Sequence, residues 1–456
     1  ISQPIIFTSE KPAGERKRGD WGGLILLGYA PVNWPGDTGH IEGIVANPDT
    51  RYGGGANPNC GNGDCPDAND NSGVLQYVRI EFAGIAFAPN NEINGLTLGG
   101  VGDGTIIDHV QVSYSNDDSY EWFGGTVNCK HLISFRGLDD DFDTDNGYAG
   151  HIQFAVSLRD PNVADVSGSK GFESDNDPTG TTNEPQTSPV FCNVDAIAGA
   201  DTTSNSLFIA AAHLRRNSHQ FIYNSILLGW PEGLLIDGTA TQDNVSADTL
   251  IDHNLITSKS ASNYVVTASP ADATSVIDLL KTGAHNNYYS GNAGVMLTDP
   301  YNLNNPDFQP QSGSPALYSA SFAHAALNDP FIEQVTYKGA FDGVNDWTST
   351  WANWDPVNTN YISGIFSLPE NVYGTDVFPN PAKESIQFRI QSEQYADVKI
   401  NVMDLTGKII SETRLTLTAG VNSIVFDVSS ILPGIYTVQV LNTQTLEQGI
   451  SKFVKD

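Results

Sequence analysis

Residues 108–127 read DHVQVSYSNDDSYEWFGGTV, residues 130–149 read KHLISFRGLDDDFDTDNGYA, and residues 150–169 read GHIQFAVSLRDPNVADVSGS. Aligned, they are three copies of one unit headed by His109, His131 and His151, spaced by 22 and 20 residues. Each copy holds one alternating strand and no helical pattern. Repeats of this length and kind mark a β-solenoid, in which each coil buries its apolar face only by stacking on its neighbours. Gly, Asn and Asp fill the corners, as tight turns require. QYVRIEFAG from Gln76, HQFIYNSILLG from His219 and IDHNLITSK from Ile251 continue the series. The chain is therefore expected to be all-β, with residues 1–300 wound as a parallel β-helix, right-handed by the general preference for right-handed crossovers.

The same alignment turns scattered acids into columns. Eight residues past each His lie Asp117, Asp139 and Arg159; nine past lie Asp118, Asp140 and Asp160; twelve past lie Glu121 and Asp143. Asp141 and Asp145 deepen the cluster, and Glu173, Asp175 and Asp177 in GFESDNDP extend it by a coil. Stacked strands sit about 4.8 Å apart, so a column of carboxylates repels itself unless a cation intervenes. Hard oxygen ligands at this density suit Ca²⁺, and Asp117, Asp118, Glu121, Asp139, Asp140, Asp141 and Asp143 are the candidate ligands. Arg136 and Arg159 are the alternative counter-charges, which would make the columns a salt-bridged ladder. In a third use, Tyr120, Trp122 and Tyr148 stack on sugars while the acids accept hydroxyl hydrogen bonds. The histidines are read as a packed or solvent-facing ladder, not as ligands.

Composition sets bounds. Lys and Arg number 22 against 53 Asp and Glu, a net charge of −31, and residues 369–456 hold only 7 basic and 10 acidic residues. The acid excess belongs to the rest of the chain. So negative a surface excludes nucleic acid and anionic membrane as partners, and makes divalent cations its natural counter-ions. No apolar run reaches transmembrane length. No signal peptide precedes Ile1, so passage through the inner membrane is expected to use a leader absent from this sequence.

The last stretch carries a second fold and an address. From Tyr373 the chain reads YGTDVFPNPAKESIQFRI, then VKINVMDLTGKII, SIVFDVSSILPGIYTVQV and ISKFVKD, four alternating strands with turns between them. Val398, Ile400 and Val402 alternate with polar residues before the turn at Leu405–Lys408, which is hairpin chemistry. FPNPA, DLTGK, LPGIY and the terminal KFVK together resemble the type A C-terminal sorting domain of type nine secretion system cargo in Bacteroidetes. That resemblance implies a small Ig-like β-sandwich over residues 369–456, with Pro379, Asn380, Pro381, Gly407, Gly434, Tyr436, Lys452, Phe453 and Lys455 as signal residues. It also implies a route through the periplasm to the outer cell surface, with a shuttle barrel, the translocon and a sortase as partners. PIIFTSEKPAGERKRGDWGGLILLG, DNSGVLQYVRIEFAGIAF, NDDSYEWFGGTV and DDDFDTDNGYAG resemble a Bacteroidetes β-helical surface-protein family, which implies a fold and a location but no reaction.

Residues 1–340 are thus read as the β-helix with its C-terminal cap, 341–368 as a Trp-rich linker, and 369–456 as the sorting domain. Trp347, Trp351 and Trp354 either stack on sugar rings or pack the end of the solenoid. Cys60 and Cys65 enclose four small or polar residues and suit a local disulfide, whereas Cys129 and Cys192 are a second bridge or two buried thiols. GxSxG and HExxH arrangements are absent, so serine hydrolases of the GxSxG kind and zinc protease chemistry have no foothold. The expected function is that of an exported, non-catalytic binding, adhesion or surface-layer protein. The alternative is a Ca²⁺-dependent polysaccharide lyase or glycan hydrolase, which rests on fold analogy.

Overall fold

The computed structural model describes residues 4–60, 65–88, 91–201, 205–361, 373–404, 408–443 and 448–456. They form two compact units, residues 1–359 and 360–456.

In the first unit two parallel sheets run side by side. One has 11 strands, from Ile5–Phe7 to Asn287–Tyr289, and the other 8, from Leu24–Leu27 to Val265–Ala268. Each coil gives a strand to each sheet, and every pairing between coils is parallel. This is the expected parallel β-helix. Its interior is a stack of identical choices: Tyr120 sits opposite Phe142 and Phe142 opposite Phe172, with ring centroids 5.7 and 5.5 Å apart. Burial of such rings on both sheets supplies the stabilising term, since a coil alone has no closed core.

The 11-stranded sheet carries a second regularity. Tyr77, His109, His131, Phe154, Asn193, Asn224 and His253 all have positive φ, between 51° and 59°. They occupy one bulge repeated coil after coil. Rings stack along it from Tyr77 through His109 and His131 to Phe154, with centroids 4.3, 4.2 and 5.5 Å apart. The third member of the histidine column is thus Phe154. His151 lies three residues earlier and pairs with Val190. The physical reason is that this coil steps by 23 residues, Cys129 pairing with Ile152, where the preceding one steps by 22.

A second core lies on the outer face of the same sheet. Ile133, Phe135, Val156, Leu158, Ile197 and Leu228 pack against Phe308, Phe341 and Trp351 from the C-terminal part of the unit. Gln111 and Gln153 tie this segment down through the backbone of Asn353 and Glu333. Residues 341–359, read from sequence as part of a linker, belong to the solenoid body. Trp351 is 2% exposed, and Trp347 and Trp351 both spend their indole N–H on backbone carbonyls, of Ala340 and Trp347.

The second unit is a sandwich of a three-stranded sheet (Gly374–Phe378, Ser385–Ser392, Gly420–Asp427) and a four-stranded sheet (Ile409–Leu417, Ala396–Met403, Gly434–Asn442, Gln448–Lys455), all antiparallel. It has seven strands where four were legible. Val398, Ile400 and Val402 enter the core as their alternation predicts, joined there by Val438 and Phe453 of the same sheet and Phe388 of the other.

Candidate functional site

The strands Tyr120–Gly125, Phe142–Asp145, Phe172–Ser174 and Ala210–Leu214 lie side by side, and period-two alternation sorts their residues. Tyr120, Trp122, Phe142 and Phe172 point inward. Glu121, Asp143, Glu173 and His213 stand in one outward column, paired in register. The turns before the strands add Asp117 and Asp118 on one coil, Asp139 and Asp140 on the next. They are knit together by the Asp140 N–H donating to Asp118 Oδ1 at 2.7 Å and the Lys170 N–H to Asp140 Oδ1 at 2.6 Å. The result is an acidic groove of about 610 Å³.

Basic side chains neutralise this ladder unevenly. Lys170 Nζ lies 3.3 Å from Asp140 and 2.7 Å from Glu173. Arg215 reaches Glu173 at 2.7 Å and Asp175 at 2.8 Å, and Arg216 reaches Asp175 at 2.7 Å. Among the described residues no basic side chain forms an ion pair with Asp118, Glu121 or Asp143. Glu121 accepts a hydrogen bond from Asn94, but Asp143 Oδ1 is shut off from solvent with no partner.

Electrostatics follow from that distribution. Burial, and after it the neighbouring carboxylates, raise Asp118, Glu121 and Asp143 far above the usual range; burial also raises Asp140, whose neighbour Lys170 only partly offsets it. Asp145 is pushed up to about 8 by burial and then by Asp175. Burial works upward on Glu173 too, but Lys170 and Arg215 outweigh it and hold that carboxyl low. One step along the column His213, 8% exposed, is pushed down to about 4 by burial, and neither ring nitrogen has a hydrogen bond.

Ligand oxygens from Asp118, Glu121 and Asp143 lie within 4.8 Å of one another, as do those of Asp117, Asp118 and Asp139, and those of Asp140, Asp143 and Glu173. Oxygens sharing one Ca²⁺ at 2.3–2.6 Å are at most about 5 Å apart, so the spacing fits that ion.

Other expected residues fall elsewhere. Asp141 is inside the coil, 0% exposed, where it pairs with the equally buried Arg159 at 3.1 Å and accepts from Ser134 Oγ at 2.7 Å. It is not a groove ligand, because the buried guanidinium claims it. Arg159 does not share the register of Asp117 and Asp139: it follows Leu158, which pairs with Phe135, and so aligns with Arg136. Its guanidinium donates to the carbonyls of Leu138 and Asp139 and lies over Phe208 and Trp230. Tyr120, Trp122 and Tyr148, read as exposed sugar platforms, are each 0% exposed. They are core rings, and the stacking role is closed to them. His109 and His131 share Asp108 Oδ1 at 2.8 and 2.7 Å. Cys65 is disulfide-bonded, the Cys60 side chain lies outside the described residues, and Cys129 and Cys192 are free and buried.

Sequence reasoning missed Lys170, Arg215, Arg216 and His213. A basic residue ahead of GFESDNDP and the HLRR run at 213–216 were the available signals.

In the sandwich the sorting residues converge. Asn380 Oδ1 accepts the Val454 N–H at 2.8 Å and its amide donates to the Lys452 carbonyl at 3.2 Å, so the PNPA segment is stapled to the terminal strand. Tyr436 stacks on Phe453 at 5.5 Å. Gly407 lies outside the described residues.

A parallel β-helix bearing one acidic groove, followed by an antiparallel sandwich with its end motifs locked together, defines a passenger carried by an export domain. The chain belongs to the family of the pectate-lyase like beta helix domain, matched over residues 1–297, and residues 376–456 match the secretion system C-terminal sorting domain. It is thus a β-helix cargo of type nine secretion, destined for the cell surface or extracellular space. The chain is similar, at 21% identity over 18% of its length, to dimeric latent PorU from Porphyromonas gingivalis; it covers 9% of that chain, with a TM-score of 0.17. No curated protein matches. No helix among the described residues is long and apolar enough to cross a membrane.

Proposed function

We propose that this exported β-helix is a non-catalytic binding component of the outer cell surface whose acidic groove holds Ca²⁺. The observation that carries the reading is the uneven ladder: the steps at Glu173 and Asp175 are neutralised by Lys170, Arg215 and Arg216, while Asp118, Glu121 and Asp143 converge with no basic side chain paired to them among the described residues. A buried carboxylate without counter-charge is costly, and a bound divalent ion removes that cost. The sorting domain would hand the cargo to the shuttle barrel and translocon, with a sortase acting last.

Two expected outcomes test the site. At hundredfold excess over Kd a ligand bound only to the folded state stabilises it by about 2.7 kcal/mol, so EDTA should lower Tm by about 5 °C. Unchanged melting in Ca²⁺ and EDTA would remove the ion from the account.

The pH dependence has a definite sign. Carboxyls raised in the folded state take up protons that the unfolded chain does not, so their contribution to stability falls as pH rises toward about 8, the value for Asp145. His213 acts oppositely, but only below its ordinary value of 6.5. Between pH 6.5 and 8, Tm in EDTA should therefore decline, and saturating Ca²⁺ should flatten the decline. A flat curve in EDTA would show the carboxyls to be ordinary.

A second reading, a Ca²⁺-dependent polysaccharide lyase or hydrolase, draws on neutral His213 standing beside Glu173 in the same column. Against it, Arg215 is held by two carboxylates and kept firmly protonated, which disqualifies it as a base. Polygalacturonate, alginate and glycosaminoglycans should yield no unsaturated ends. Turnover abolished by His213→Ala at unchanged Tm would favour the enzyme.

A further inference from the structure

The three tryptophans of the C-terminal segment are not equivalent. Trp347 and Trp351 donate their indole N–H groups internally, whereas Trp354 is half-buried and its N–H has no acceptor among the described residues. Trp354 is held edge-on to Phe135 and Phe308, at 5.1 and 5.8 Å, and so has a fixed orientation. It lines a cleft of about 410 Å³ between residues 305–309 and 341–354, away from the carboxylate ladder.

The remaining wall is rich in acceptors. Asp346 Oδ1 takes both the N–H and the hydroxyl of Thr348, at 3.0 and 2.6 Å, leaving Oδ2 unbonded. Asp307 Oδ1 takes the Gln309 N–H at 3.0 Å, again leaving Oδ2. Gln309 donates its amide to the Asn345 carbonyl at 3.0 Å, and its Oε1 is shut off from solvent without a partner. Among the described residues no Lys, Arg or His lines the cleft.

We propose that this cleft binds a neutral or amino sugar residue of an oligosaccharide. A volume of several hundred Å³ is that of a small-ligand site. A sugar ring offers an apolar C–H face to the indole and a rim of hydroxyl donors to the carboxylates and amide, while its ring or hydroxyl oxygens accept the indole N–H. The two carboxylates, with no basic side chain near them, reject uronates and other anionic sugars. The site is independent of the Ca²⁺ groove and of the reading given for it.

The full chain, in EDTA, would be titrated with cellotriose, chitotriose, its deacetylated form and trigalacturonate, read by tryptophan fluorescence and saturation-transfer NMR. At least one neutral or amino trisaccharide should saturate, and trigalacturonate should not. Trp354→Ala should weaken binding about tenfold or more, the loss expected from one stacking ring with its hydrogen bond. Because Trp354 also packs on Phe135 and Phe308, Asp346→Asn and Gln309→Leu serve as milder variants and should weaken binding while Tm stays within a few degrees. The proposal is overturned if no neutral or amino trisaccharide saturates, if trigalacturonate alone binds, or if the folded variants bind as tightly as the parent. With EDTA present throughout, none of these outcomes depends on the cation.

Discussion

Deleting residues 369–456 should leave a folded β-helix in the periplasm and none on the cell surface. The two parts have separate cores, the solenoid interior being closed by its own stacked rings and the sandwich by residues such as Phe388, Val440 and Phe453. Removing the address therefore leaves the cargo intact. Surface proteolysis and fractionation would check it: the truncated protein should be protected in whole cells, yet melt like the passenger of the parent chain. A smaller lesion should approach the same phenotype. Asn380 holds the PNPA segment to the last strand through Val454 and Lys452, so Asn380→Ala loosens the meeting point of two sorting motifs and should lower surface yield with little effect on the solenoid. Truncated protein displayed at normal levels would mean that the sandwich is not the export signal.

The second large effect should come from Arg159→Ala, at about 3–5 kcal/mol of stability, the range for breaking a buried ion pair by removing one partner. Both Arg159 and Asp141 are 0% exposed, burial already raises the Asp141 carboxyl, and the guanidinium also satisfies the carbonyls of Leu138 and Asp139. Its loss leaves the Asp141 carboxylate buried with its Ser134 hydrogen bond but without its counter-charge, and takes a donor from each of the two carbonyls. Replacing the pair together, as Arg159→Met with Asp141→Leu, should recover much of the loss, because the desolvation cost disappears with the charges. Chemical denaturation of the parent, Arg159→Met, Asp141→Leu and the double variant provides the coupling energy. Arg159→Ala costing less than about 1 kcal/mol would mean that the pair is dispensable.

Where coils have equal length, the sequence was transparent. Asp118 over Asp140 and Glu121 over Asp143 were placed correctly because that step is 22 residues, with Tyr120 opposite Phe142. The next steps along the same sheet take 30 residues, from Asp143 to Glu173, and 40, from Glu173 to His213. Loops of variable length fill the difference, so a fixed period carries Arg159 into the acidic column and leaves Lys170 and Arg215 out. Tyr120 and Trp122 were misread for another reason. In YEWF, alternation sends residues on either side of Glu121 to the opposite face, so a carboxylate turned to solvent requires those rings to be inside. The bulge at His109, His131 and Phe154 has no residue-type signature, since His, Phe, Tyr and Asn all occupy it. In the sandwich, Val398, Ile400 and Val402 were legible because one face is buried and one wet, whereas Ile409–Leu417 is mostly exposed and carries no such alternation.

The most direct test of the cation reading is a calorimetric titration of Ca²⁺ into the EDTA-stripped full chain near pH 7.5, repeated with Asp143→Asn. Asp143 is the residue to change, because among the described residues it alone belongs both to the group with Asp118 and Glu121 and to that with Asp140 and Glu173, and its Oδ1 has no other partner there. The reading expects saturable binding with release of protons, since the carboxyls are raised by burial and must ionise to bind, and at least a tenfold weaker affinity in the variant. Absence of saturable heat in the parent, or an affinity unchanged by Asp143→Asn, would contradict it.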